Sequence, residues 1–107
     1  MKDEKDALML AWTTCESGED AKRLADSAVD QNLAACVQIS GPITSVYRWK
    51  GKVQRDQEYR LLFKCPESRL EALHSWLTAN HPYETPQFYA VKAGFVDTAY
   101  LDWATDL

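Results

Sequence analysis

Two alternating stretches meet at Lys50-Gly51-Lys52, and they constrain this chain more than any other feature. Ile43, Ser45, Tyr47 and Trp49 alternate with Thr44, Val46 and Arg48 on one side of that turn. On the other side, Glu58 to Cys65 alternates again, with Tyr59, Leu61, Phe63 and Cys65 on one face. Val53 to Gln57 between them is polar. The pattern predicts one long hairpin with a polar, protruding tip. A two-stranded arm is only marginally stable in water, so something must cover it, and a partner chain is the obvious candidate.

The remaining residues frame this arm. Ala7-Leu8-Met9-Leu10-Ala11-Trp12 is apolar throughout, which predicts a strand buried on both faces. Ser17 is placed to cap a helix whose first turn carries Glu19 and Asp20. Ala21, Leu24, Ala25, Ala28 and Val29 follow at helical spacing, and Asn32 is the expected stop. Leu33 to Ile39 resumes an apolar pattern until Gly41-Pro42. Proline cannot donate to a ladder, so a bulge or an edge is expected there. Pro66 opens a second helix with Leu70, Leu73, Trp76 and Leu77 as its apolar stripe. Pro82 disfavours the helical region at His81, so this helix stops near Asn80. Pro82 and Pro86 bracket a stiff loop, and Gln87 to Ala93 is the last strand. Asp97 or Thr98 caps a final short helix. The order β-α-β-β-α-β with right-handed crossovers predicts an α+β, ferredoxin-like fold: a four-stranded antiparallel sheet with two helices on one face. The 107 residues suit a single domain spanning 1–107.

Composition narrows the function. Hydrophobic residues make up 46% and charged residues 26%, which is globular. A net charge of -4 argues against a phosphate-backbone partner, and Glu58 to Cys65 lacks the Gly-aromatic signature of an RNA-reading strand. No apolar run approaches the roughly 20 residues that span a bilayer. The start Met1 to Asp6 is mixed in charge and does not read as a secretory signal, so a cytoplasmic protein without membrane contact is expected. Cys15, Cys36 and Cys65 are odd in number and widely spaced, which suits small buried side chains better than a disulfide framework.

Certain strings are more specific. Leu33-Ala34-Ala35-Cys36-Val37, the hairpin run Ser45 to Lys52, Glu58-Tyr59 with Lys64, His81-Pro82-Tyr83-Glu84-Thr85-Pro86 and the closing Tyr100-Leu101-Asp102-Trp103 resemble the CutA family of divalent-cation tolerance proteins. The resemblance runs from about Ala7 to Trp103. It implies a homotrimer similar in outline to the PII signalling proteins, with sheet edges and hairpin packed between chains. It implies tolerance to copper and other divalent metals, no catalytic reaction and no organic cofactor.

Two sets of site residues follow. A copper(II) or other divalent-cation site would use His81, which leaves the second helix into the proline-stiffened loop. Metal-binding members carry a cysteine where Thr13 stands here and a histidine where Asn80 stands, so Cys15, on the face of Thr13, is the candidate replacement. His74 lies seven residues from His81, about 10.5 Å along a helix, and is read as structural. The second set, for a small ligand or partner protein in an inter-subunit cleft of a PII-like signalling or scaffold protein, comprises Tyr47, Trp49, Glu58, Lys64, Tyr83 and Glu84. Its aromatics would stack and Lys64 would meet an anion. No nucleophile elbow or protease signature accompanies either set, so an enzyme is not expected.

Overall fold

The computed structural model describes residues 6–107. Met1 to Lys5, which carry most of the reading against a secretory signal, lie outside them. Alternation and helical periodicity build β1 (Leu8–Cys15), α1 (Gly18–Asp30), β2 (Cys36–Trp49), β3 (Lys52–Pro66), a 3-10 turn (Glu67–Arg69), α2 (Leu70–Asn80), β4 (Tyr89–Lys92) and α3 (Thr98–Ala104). All pairings are antiparallel and the sheet order is β2-β3-β1-β4, the expected ferredoxin-like topology.

Local chemistry sets the ends of α1. Ser17 Oγ accepts the Asp20 N–H at 3.0 Å, satisfying one of the donors that a helix start leaves free. Asn32 takes the left-handed conformation (φ 59°). Its N–H bonds Val29 O at 3.0 Å and the Leu33 N–H bonds Ala28 O at 2.9 Å, a Schellman ending that turns Leu33 back toward the core.

Met9, Ala11, Thr13 and Cys15 point from β1 toward the helices, as do Leu61, Phe63 and Cys65 from β3. They meet Leu24, Ala25 and Ala28 of α1 and Leu73 and Leu77 of α2. Phe63, Leu24, Leu61, Leu73 and Leu77 are fully buried, each contributing roughly 1.5–3 kcal/mol.

Several expectations shift. β1 is fully buried only on the face that the helices cover; on the other, Leu8 and Thr14 are buried but Leu10 and Trp12 between them stay half-buried. Pro66 ends β3 and precedes a 3-10 turn, and α2 begins four residues later. The Ser68 N–H donates to Asp6 Oδ1 at 3.1 Å, so the turn is held from the start of the chain. β4 is four residues long, not seven, since it pairs only with Met9 to Trp12.

The hairpin is longer than its alternation suggests. Val53 to Gln57 continues β3 despite its polarity, and Lys50 and Gly51 alone make the turn, both at positive φ (51° and 80°). β1 ends opposite Tyr59, so Ile43–Trp49 and Lys52–Glu58 extend past the sheet as a bare ribbon about 23 Å long. The long dimension is 55 Å and the radius of gyration 15.0 Å, against about 13 Å for a rounded chain of this length. The Gly41-Pro42 irregularity falls where expected, as a break in register between Ser40 and Ile43.

Candidate functional site

The arm leaves the sheet where the Pro82–Pro86 loop returns to it, and the two enclose a cavity of about 590 Å³. Tyr47 and Trp49 come from β2, Glu58 from β3, Tyr83 and Glu84 from the loop, and Thr14 from the end of β1. The size is that of a small-molecule site. Five of the six residues expected to bind a ligand therefore line one cavity. Lys64 is the exception. It sits six residues along β3 from Glu58, about 20 Å away, opposite Cys36 and Leu10. Its ammonium lies 5.8 Å from the Tyr100 ring of α3 on the open face of the sheet. The alternation puts Glu58 and Lys64 on one face, but distance along the strand separates them.

Hydrogen bonds hold the pocket in shape. Tyr83 Oη donates to Glu58 Oε2 at 2.7 Å, joining loop to arm. Burial and the Glu58 carboxylate push the Tyr83 phenol well above its ordinary range, so it remains a donor. Glu58 is only 8% exposed. Tyr47 Oη donates to Asp56 across the ribbon, and that bond raises the Tyr47 pKa. Thr13, at the position where metal-binding members place a cysteine, is fully buried and donates Oγ1–H to Gln87 O at 2.7 Å. It ties β1 to the far end of the loop.

His81 lies behind the pocket wall. Its backbone N–H caps α2 on Leu77 O at 2.8 Å. Nε2 donates to Thr14 O at 2.8 Å and Nδ1 accepts the Tyr83 N–H at 3.0 Å. These partners select the neutral Nε2–H tautomer, and burial lowers the ring pKa from 6.5. Asn80 donates to Trp76 O at 2.8 Å on its own helix. His74 is exposed and stacks on Phe88 with ring centroids 4.8 Å apart, in keeping with a structural role.

The proposed metal ligands do not fit a metal within one chain. Both His81 ring nitrogens are engaged. Cys15 is fully buried and its thiol donates to Ser17 O at 3.6 Å. Burial pushes its pKa up to about 11, which keeps it from the thiolate form that metals take. Among the described residues, no group of three or more His, Cys, Asp or Glu side chains is arranged around a possible ion.

The chain matches the CutA1 divalent ion tolerance protein family over residues 9–106. It is 42% identical over 95 residues to the chloroplastic protein CutA 1 of Oryza sativa subsp. japonica, covering 89% of this chain and 54% of that one. The chain thus spans about half the length of that curated relative. Among solved structures, CutA1 from Oryza sativa superposes with a TM-score of 0.90 at 40% identity, covering 94% of this chain and 92% of that one. CutA from Synechococcus elongatus PCC7942, complexed with a Bis-Tris molecule, superposes with a TM-score of 0.85 at 38% identity, covering 95% and 94%. Nearly the whole chain is matched in sequence and in fold, and the protein belongs to the CutA1 family of divalent ion tolerance proteins.

Proposed function

We propose that this chain works as a homotrimeric, non-catalytic divalent-cation tolerance protein whose working site is the pocket between the arm and the Pro82–Pro86 loop, and that the pocket takes a small molecule. The convergence of Tyr47, Trp49, Glu58, Tyr83 and Glu84 on one cavity carries this reading. The Synechococcus relative was solved with a Bis-Tris molecule, so a protein of this fold accommodates a small organic compound. Three free cysteines suit a reducing compartment such as the cytoplasm. Among the described residues no helix is long and apolar enough to cross a membrane.

A copper(II) site at His81 asks for more. Coordination through Nε2 would release the Thr14 carbonyl, and coordination through Nδ1 would release the Tyr83 amide. Either change loosens the wall that holds the pocket.

Calorimetric titration of copper(II) into the native protein and His81→Ala, beside a thermal-shift screen of small molecules against the native protein and Trp49→Ala, separates the two. The expected result is a small molecule that raises the melting temperature of the native protein and has little effect on Trp49→Ala, with copper heats alike in native and His81→Ala. Saturable copper binding lost in His81→Ala, while the oligomeric mass persists, would move the site to the metal.

A further inference from the structure

The pocket combines aromatic walls with one sign of charge. Glu58 and Glu84 line it, and among the described residues no lysine, arginine or histidine does. Among the described residues neither glutamate forms an ion pair; the ion pairs join Arg23 to Asp20 and Lys92 to Glu67. Glu58 is the more telling. It is nine-tenths buried, Oε2 accepts from Tyr83, and among the described residues no donor fills Oε1. Glu58 lines the cavity, and its second oxygen is open there to water or to a cationic group. Lys64, the cation expected in this cleft, stands six residues farther along β3.

The aromatic side points to the same ligand chemistry. Tyr47 is 42% exposed, with its hydroxyl on the Asp56 carboxylate. Its ring attracts an ammonium through the negative face. An inorganic divalent ion would instead need several oxygen ligands at short range, and no such group is present among the described residues. An anion would meet two carboxylates.

Resting on the reading of this cavity as the ligand site, we propose that it binds a small organic cation. The ammonium centre lies against the Glu58 carboxylate beside the Tyr47 ring, and the neutral part of the molecule fills the remaining volume toward Trp49, six residues farther along the ribbon. Ligand binding then places a positive charge on Glu58 and bridges arm to loop.

Choline, its uncharged isostere 3,3-dimethyl-1-butanol, and acetate serve as probes, titrated calorimetrically in amine-free phosphate buffer into the native protein and into Glu58→Gln. Glutamine keeps an acceptor for Tyr83 and removes the charge. Circular dichroism and light scattering on each sample confirm that fold and assembly persist. Choline is expected to saturate the native protein, to bind at least about tenfold more tightly than the isostere, and to weaken about tenfold in Glu58→Gln. Acetate is expected to give no saturable heat. Isostere and choline binding equally, both lost in Trp49→Ala, would leave the pocket standing and overturn the preference for charge. Preferential uptake of acetate would do the same. No binding of any probe by the intact assembly would overturn both the pocket reading and this inference.

Discussion

His81 shows how a single side chain can be read for chemistry and turn out to serve architecture. Its place after a helix and before a proline is that of a ligand. The structure gives it three bonds: a backbone donor to α2, a ring donor to β1 and a ring acceptor for the loop. The ring does this only when neutral, and burial lowers its pKa from 6.5. Protonation would cost Nδ1 its acceptor role. In the unfolded chain the ring protonates as the pH falls through about 6.5, while the folded protein resists until lower pH. The unfolded state then binds more protons, so stability is full above about 6.5 and declines below it. Urea melts at pH 7.5 and 5.5 are expected to show a lower midpoint at the acid end, and His81→Gln, which can keep a donor and an acceptor, to show a smaller drop. An equal drop in both proteins would remove His81 from the acid response. The bond to β1 was not legible in sequence, because the Thr14 carbonyl is 67 residues away. The position of Thr13 is similar: its face was predictable from alternation, its bond to Gln87 was not.

At the scale of elements, the order of strands and helices was legible because each carries its own period and its own punctuation. Ser17, Asn32, Gly51 and Pro82 all act where local chemistry places them. What escaped was governed by pairing. Val53 to Gln57 reads only as the polar tip of the hairpin, without alternation, yet it is regular β3 strand because Ile43 to Trp49 extends opposite it. The reach of β4 is set by β1, not by its own residues. The glycines test this division. A methyl group added at Gly94 would meet open space at an ordinary φ. One at Gly51 would also meet open space, but at φ +80°. At Gly41, φ is +149° and a Cβ would stand only 2.8 Å from the Tyr59 ring and 3.0 Å from Glu58 O. Replacement by alanine should cost within about 0.5 kcal/mol at Gly94 and about 1–2 kcal/mol at Gly51. Gly41→Ala should cost more than either, because β3 backbone must move. It should also disturb the pocket, whose Glu58 follows that backbone. Chemical denaturation of the three variants checks the ranking, and a Gly41→Ala protein as stable as Gly94→Ala would mean that the bulge does not set the position of β3.

At the scale of the whole molecule, one chain leaves its sheet half finished. The helices cover the face of Met9 and Phe63; the opposite face carries Leu10, the stacked pair Trp12 and Tyr89, and Val91. Tyr89 and Val91 are about half exposed, Trp103 on α3 is 56% exposed, and β4 and β2 are both edges. Exposed apolar area next to open edges marks an association surface. The bare arm adds to it, since a ribbon of two strands needs cover. A second and third copy supply that cover in the trimer proposed above, and a chain of 12.2 kDa then has a mass of about 37 kDa. Val91 is the position to probe. It lies on the open face of an edge strand, away from the core, so Val91→Glu should spare the fold of one chain while placing a charge in the interface. Light scattering is expected to give the trimer mass for the native protein and a smaller, concentration-dependent mass for Val91→Glu, with the far-ultraviolet circular dichroism retained. A native protein of single-chain mass at all concentrations would contradict the assembly. A trimer untouched by Val91→Glu would move the interface off this face and onto the arm, where Val46 and Val53 are among the exposed apolar residues.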